Sequence, residues 1–255
     1  MIENITFIIA SYNDPSIRST LDSILACAVK GDQILVIDGK SNDRTVEVAN
    51  ATLNKSQVNH TIISEPDDGI YDAWNKGVRL ADNTWIAFLG CGDQLLSDYR
   101  TEVSAVLKSN KECNFVHHKT QFYKESGGKL KFGRVFGDRL NPSKFRQKMR
   151  VCHAGALHHR SLFKDELFST QYRCVSDYRF LLRSLPRLNP CYIDRVLINM
   201  DANGISSKLI TPYQEELQMK AELGGYSYPM LCLNFAVSVF NAALWKAYTR
   251  IRYGV

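Results

Sequence analysis

Apolar and polar positions along the chain fall into short runs that alternate between two periods. Ile5 to Ala10 and Gln33 to Ile37 are almost unbroken β-branched and aliphatic runs, the pattern of strands covered on both faces. Between them Ile17, Leu21, Ile24, Leu25 and Ala28 recur at helical spacing behind Asp14 and Pro15, which read as an N-cap and a first helical residue. The pairing then repeats. Val46, Ala49 and Leu53 form the inward side of a second helix, His60 to Ser64 a strand, Gly69 to Ala81 a helix and Trp85 to Leu89 a strand. Strand and helix alternating over short connections predict an α/β fold built on a doubly wound, mostly parallel sheet.

The second half is less regular. Ser97 to Lys108 reads as a helix with Val103, Val106 and Leu107 inward, and residues 115–132 as an antiparallel hairpin around Ser126-Gly127-Gly128. Residues 133–150 contain Gly133, Gly137 and Pro142 with little periodicity, and are expected to be a long loop. A strand near Ala154 to His158, a helix from Asp177 to Ser184 and a strand from Cys191 to Met200 follow. Beyond Pro212 the pattern is helical. Within Pro229 to Trp245 the polar Asn234, Ser238 and Asn241 share one narrow face, and Lys246, Arg250 and Arg252 come next. Such a helix suits either a membrane interface beside anionic lipid or a docking face on the domain or on a second copy in a homo-oligomer.

Composition narrows the class. With 45% hydrophobic residues over 255 positions, the chain is neither a disordered polymer nor a disulfide-stapled module. Seven cysteines, odd in number and without Cys-x-x-Cys spacing, read as reduced thiols of a cytoplasmic protein. The start opens directly into a strand, so no secretory signal is expected, and no apolar run reaches the roughly 20 residues of a spanning helix. The 32 Lys and Arg outnumber the 26 Asp and Glu by 6, and the excess is uneven. Eight cations against the single acid Asp138 crowd residues 129–150, and no acid follows Glu222, which points to an anionic partner.

Candidate chemistry sits at the strand ends. Ligands of such sheets bind outside the carboxyl ends of the strands, where Ser11 to Asp14, Asp38 to Asp43, Glu65 to Asp68 and Gly90 to Asp93 all fall. Ile8-Ile-Ala-Ser-Tyr-Asn13, Val36-Ile-Asp-Gly-Lys-Ser-Asn-Asp-Arg-Thr45, Glu65-Pro-Asp-Asp-Gly-Ile-Tyr-Asp-Ala-Trp-Asn-Lys-Gly77 and Trp85-Ile-Ala-Phe-Leu-Gly-Cys-Gly-Asp93 follow in order. In this order they resemble the family 2 inverting glycosyltransferases of the GT-A fold, of the bacterial polysaccharide and O-antigen type, over roughly residues 1–205.

The resemblance implies a GT-A domain over 1–210, with a donor half to about residue 95 and an acceptor half from 96, followed by a helical tail over 211–255. It implies that Asp38 accepts the imide N–H of a uracil base, although a turn-capping role reads equally from the residues. Ser11, Tyr12 and Asn13 would surround base and ribose, unless Tyr12 is core. The helix bearing Asp72 and Lys76, opened by Asp68, would flank the diphosphate and sugar; Asp68 is also a natural N-cap. Asp93 would hold Mn2+ or Mg2+, and is the one acid left of the family's Asp-x-Asp motif, while Gly92 lets backbone approach the sugar or phosphate closely. Asp177 matches the catalytic base, at a helix start where it also suits capping. His153 would border the acceptor, and Arg134 and Arg139 would close on the diphosphate as a lid or meet an anionic acceptor; a solvated loop face is the plainer alternative.

The expected activity is inverting transfer of a hexose from a nucleoside diphosphate sugar, presumed UDP-linked, to a hydroxyl of a glycan or lipid-linked glycan at the cytoplasmic membrane surface. A sugar nucleotidyltransferase is disfavoured because Ser11 to Pro15 lacks a glycine-rich basic phosphate loop. A non-catalytic binding protein on the same fold is the other alternative. No nucleic-acid module surrounds the basic stretch, and no nucleic-acid partner is expected.

Overall fold

The computed structural model describes residues 3–126, 129–202 and 210–253. In chain order the elements are β1 (Ile5–Ser11), α1 (Ile17–Cys27), β2 (Gln33–Asp38), α2 (Thr45–Leu53), β3 (Asn59–Ser64), α3 (Ile70–Leu80) and β4 (Trp85–Gly90). Then come β5 (Gln94–Leu95), α4 (Tyr99–Ser109), β6 (Phe115–Ser126), β7 (Lys129–Phe136), α5 (Pro142–Gln147), β8 (Leu157–His159) and α6 (Ser176–Ser184). β9 (Pro190–Asp201), α7 (Thr211–Leu223) and α8 (Tyr228–Tyr253) close the chain.

One nine-stranded sheet runs β3-β2-β1-β4-β8-β6-β9-β5, with β7 paired to β6. β1 to β4 are mutually parallel, and so are β6 and β9. β8, β5 and β7 run antiparallel to their neighbours and form the small antiparallel addition. The chain steps outward from β1 to β3 and then returns to the other side of β1 as β4. The reversal places α1 and α2 on one face and α3 on the other. Ile5, Phe7 and Ile9 accordingly pack with Ile17, Leu21, Ala49 and Leu53, whereas Ile8 and Ala10 pack with Tyr71, Trp74, Val78 and Phe180. A crevice at such a reversal, between the carboxyl ends of β1 and β4, is where ligands of open α/β sheets bind.

Two expectations are corrected. The stretch expected as a loop over 133–150 instead carries the end of β7 and all of α5. The ladder from Thr120–Phe136 to Ser126–Lys129 holds β7, and the Asn141 side chain accepts from the Lys144 N–H at 3.1 Å to cap α5. Weak periodicity hid the strand because Leu130, Phe132 and Val135 are exposed rather than buried. The helical tail also divides in two. α7 belongs to the domain: Met219 lies in the same core as Phe180, and Glu215 accepts from the backbone N–H groups of Arg173 and Cys174 just before α6. The seven cysteines are free thiols. Among the described residues no helix is long and apolar enough to cross a membrane.

Candidate active site

The strand-end clusters converge. β1 and β2 are tied by Gly39 N–H to Ser11 O at 2.9 Å, and β2 and β3 by Glu65 N–H to Asp38 O at 3.0 Å. Asn13 donates its N–H to Ser41 Oγ at 2.7 Å, and Asn42 N–H returns to Asn13 Oδ1 at 2.9 Å. Asn13 and Lys40 hold left-handed backbone, φ 48° and 62°, a conformation that costs non-glycine residues energy and collects at functional loops. Cys91 lies at the centre: burial raises its thiol pKa, and the charges of Asp14, Asp93, Asp38 and Asp43 add to the rise.

Asp38 does not take the place expected of it. It is fully buried, and its two oxygens accept from Ser11 Oγ at 3.0 Å, Ser41 Oγ at 2.5 Å, Ser41 N–H at 2.8 Å and Ser64 Oγ at 2.7 Å. Burial acts to raise its pKa, but those donors outweigh it and hold the carboxyl below its ordinary value. A carboxylate offers about four acceptor positions, so none remains for a nucleobase. Its work is to lace β1, β2 and β3 together. Gly39 beside it is needed for space: a β-carbon there would stand 2.8 Å from Asp67 Oδ2.

Tyr12 is 66% exposed, which removes the core alternative and leaves its ring open to a ligand. Asp68 is exposed and is not the cap of α3, which starts from Gly69 at φ 106°; Asp67 Oδ1 instead accepts the Gly69 N–H at 2.9 Å. Lys76 is committed to Glu65 at 2.9 Å, Asp72 at 3.4 Å and Pro66 O at 2.8 Å. Asn75 turns inward and clamps Phe168 through two backbone bonds of 2.8 and 2.9 Å.

Asp93 is buried at the end of β4 with Oδ2 accepting the Gly90 N–H at 2.8 Å. Burial pushes its pKa up to about 7; the N–H groups of Gly90 and Asp201 oppose the rise and the Asp201 charge adds to it. Asp201, at the end of β9, packs against Gly92, where a β-carbon would lie 3.1 Å from its own. Gly92 has φ 87°, a second reason for glycine there. Sequence reading missed Asp201 because 108 positions separate it from Asp93, counting 201 − 93. Only the sheet brings them together.

Asp177 lies in the first turn of α6, where Tyr71 from α3 donates its hydroxyl to Oδ1 at 2.9 Å. Burial pushes the carboxyl up to about 6, against the lowering hydrogen bonds of Tyr71 and the helix-start N–H groups. Cys152 lies within reach of both acids: burial raises its thiol to about 12, with the Asp93 and Asp177 charges contributing.

Three of the expected residues rest on aromatic rings. His153 is buried and stacks on Trp74 at 5.0 Å and Phe88 at 5.3 Å; burial, with His158 beside it, pushes its pKa well down, so it is a neutral core ring rather than an acceptor contact. The Arg134 guanidinium rests 5.3 Å from the Phe122 ring centre and 5.6 Å from that of Phe136, and Arg139 rests 5.5 Å from that of Tyr192. Both arginines find aromatic faces, Arg134 on β6 and β7 and Arg139 on β9.

A profile of "Glycosyl transferase family 2" matches residues 6–167. A "PGL/p-HBAD biosynthesis glycosyltransferase" of Mycobacterium bovis is 28% identical over 211 residues, covering 80% of this chain and 79% of its own, and the Mycobacterium tuberculosis protein matches equally. Among solved structures, S. aureus TarS 1-349 in complex with UDP-GlcNAc superposes with a TM-score of 0.68 at 14% identity, over 98% of this chain and 74% of that one. A longer TarS structure is covered over 43% of its length. The mannosyltransferase PcManGT from Pyrobaculum calidifontis in complex with GDP-Man and Mn2+ gives 0.66 at 16% identity, over 99% and 76%. These structures share the GT-A fold, and with the profile spanning most of the sheet and its strand-end loops, the chain belongs to glycosyl transferase family 2.

Proposed function

We propose that the protein transfers a hexose from a UDP-sugar, with inversion, to a hydroxyl of a glycan or lipid-linked glycan acceptor. The observation that carries this reading is Asp177. A carboxyl raised to about 6 by burial is still mostly ionised at neutral pH, yet basic enough to take a proton, and Tyr71 fixes the direction of one oxygen. Asp177 removes the acceptor hydroxyl proton as that oxygen attacks the anomeric carbon, and the C1–O bond to the nucleotide breaks on the opposite side. One carboxylate suffices, because the departing diphosphate needs charge stabilisation rather than a proton.

That stabilisation fits a divalent cation. The charges of Asp14, Asp43 and Asp93 around Cys91 would repel a diphosphate, and Lys76 is already tied to Glu65 and Asp72. Carboxylate oxygens are the donors that Mg2+ and Mn2+ prefer, and Asp93 and Asp201 would hold such an ion. When bound, it supplies positive charge to the departing diphosphate. Among the described residues no set of three or more ligating side chains assembles, so the remaining coordination would come from the diphosphate and water.

The acceptor side includes an outlying helix. On α8 the apolar Met230, Leu233, Val237, Phe240 and Leu244 are exposed, whereas Asn234 and Ser238 line a cavity of about 330 Å³ with Lys144, Lys148 and Lys220. An outward apolar stripe beside cations suits the surface of an anionic membrane carrying a lipid-linked acceptor. The test of the whole reading is donor hydrolysis and transfer with UDP-, GDP- and dTDP-sugars in Mn2+. Turnover of a UDP-sugar is expected, and no turnover of any nucleotide sugar across glycan and lipid-linked acceptors would overturn it.

A further inference from the structure

We propose that the cavity between α5, α7 and α8 takes the phosphate of an anionic lipid, with Lys144 and Lys148 on one wall and Asn234 and Ser238 on the other, while the lipid's apolar part lies along α8. This rests on the membrane reading of α8 and adds to it a site for one chemical group. The cavity shares no lining residue with the strand-end crevice.

Four cations line the cavity, Lys144, Lys148, Arg150 and Lys220, against one acid, Glu216. Two of the four are already engaged. Lys220 is buried, donates to Gln147 O at 2.6 Å and pairs with Glu216, and Arg150 pairs with Asp138 at 2.8 Å. Lys144 and Lys148 are exposed and have no ion-pair partner among the described residues. They stand four positions apart at the end of α5, so their ammonium groups repel each other, and an anion between them relieves that repulsion. Nothing on the facing helix opposes this, because no acid follows Glu222 in the sequence. Asn234 and Ser238, also four apart, bring an amide and a hydroxyl to that wall. Phosphate oxygens suit such a set, in which lysines act as point charges and neutral donors complete the shell.

The apolar side of α8 says what carries the phosphate. Met230, Leu233, Val237, Phe240 and Leu244 recur three and four positions apart and are exposed. At about 100° per residue, Asn234 and Ser238 lie roughly a third of a turn from this stripe. Val237 belongs to both, exposed on the stripe and lining the cavity, so a ligand whose phosphate enters the cavity meets the stripe there. A free ion has nothing to place on the stripe, whereas a lipid does, and a helix in the membrane interface buries such a face among acyl chains. The volume of about 330 Å³ is at the lower end of small-molecule sites, room for a headgroup rather than a bare ion. The cavity is also tied to the helix that carries Asp177. Tyr178 on α6 donates its hydroxyl to Phe145 O on α5, and Lys220 Nζ lies 5.4 Å from the centre of the Tyr178 ring.

The experiment is co-sedimentation of the full chain with vesicles of phosphatidylcholine, alone or with an equal part of phosphatidylglycerol. The native chain is expected to partition onto the phosphatidylglycerol vesicles and not onto phosphatidylcholine alone. Lys144→Gln with Lys148→Gln should lower that partition by about tenfold or more. Lys30→Gln with Lys55→Gln removes equal charge from exposed positions after α1 and α2 and should stay within about threefold of native. Ser238→Asp keeps every cation but sets a negative charge in the α8 wall; it should also weaken binding, and carries the test should the lysine variant fail to fold. Binding unchanged in both cavity variants, or lowered equally by the control pair, overturns the phosphate site and leaves the membrane reading standing. A native dimer without vesicles that Leu233→Glu makes monomeric would assign the stripe to a second copy and overturn the proposal. A native chain that binds neither vesicle overturns the membrane reading as well. Calorimetric binding of inorganic phosphate, lost in the lysine pair, would in that case assign the cavity to a free anion.

Discussion

The end of β2 carries a buried aspartate and the start of α6 a half-buried one, and they behave in opposite ways. Asp38 meets four donors and stays ionised below its ordinary range; Asp177 meets one side-chain donor and is pushed up to about 6. The difference lies in what surrounds them. Ser11 ends β1, Ser41 follows β2 and Ser64 ends β3, and together they satisfy Asp38, so it builds structure. Asp177 has a single side-chain donor, Tyr71, beside the N–H groups of its helix start, and stays more basic. A carboxylate saturated by side-chain donors is a fastener, and one with fewer donors at a more open place is suited to be a reagent.

The sharpest way to break this contrast is Asp177→Asn. Transfer should fall by about 10²–10⁴-fold, the usual worth of a general base, with UDP binding unchanged. Wild-type transfer rates in that variant would reduce Asp177 to a helix cap. Asp93→Asn comes next: turnover is expected to fall about 10²-fold together with Mn2+ affinity measured by titration. Normal Mn2+ binding would remove Asp93 from the metal site. Asp38→Ala should act on the fold, costing about 2 kcal/mol by stranding its hydroxyl donors and lowering Tm by about 4–8 °C. A normal Tm with lost turnover would make Asp38 a reagent after all. The smallest effect belongs to Tyr71→Phe. Without the lowering hydroxyl the Asp177 pKa should rise further, moving the acid limb of the rate profile upward and reducing turnover a few-fold near neutral pH.

The pair also has opposite pH signatures. Asp38, with a folded pKa below the ordinary 3.8, contributes stability that is present above 3.8 and lost as pH falls through the folded value. Asp177, raised from 3.8 to about 6, contributes stability that is full below 3.8 and declines as pH rises to about 6. Titrating Tm from pH 4 to 7 in Asp177→Asn should therefore show less decline with rising pH than the native chain.

What was legible in the sequence follows physical range. The β1–β4 half declares itself because unbroken apolar runs and helical spacing are local signals, and each strand-end cluster lies within a few residues of its strand. Asp177 was found from a motif, but its partner Tyr71 was not, because that bond joins α3 to α6. Asp67 and Asp68 both stand before Gly69, and only the fold shows which one turns toward Gly39. His153 read as a polar site residue because its cage of Trp74, Phe88 and Phe168 comes from three separate segments. The end of β7 and the short α5 do not declare themselves, because Leu130, Phe132 and Val135 are exposed and Phe145 is the one buried side chain among the described residues of α5.

The most direct test of a single displacement by one carboxylate is the anomeric configuration of the product, read by proton NMR on the linkage formed from an α-linked UDP-sugar. Asp177 acting alone as base predicts a β-linked product. An α-linked product would contradict it, because retention requires an additional step that this arrangement does not provide.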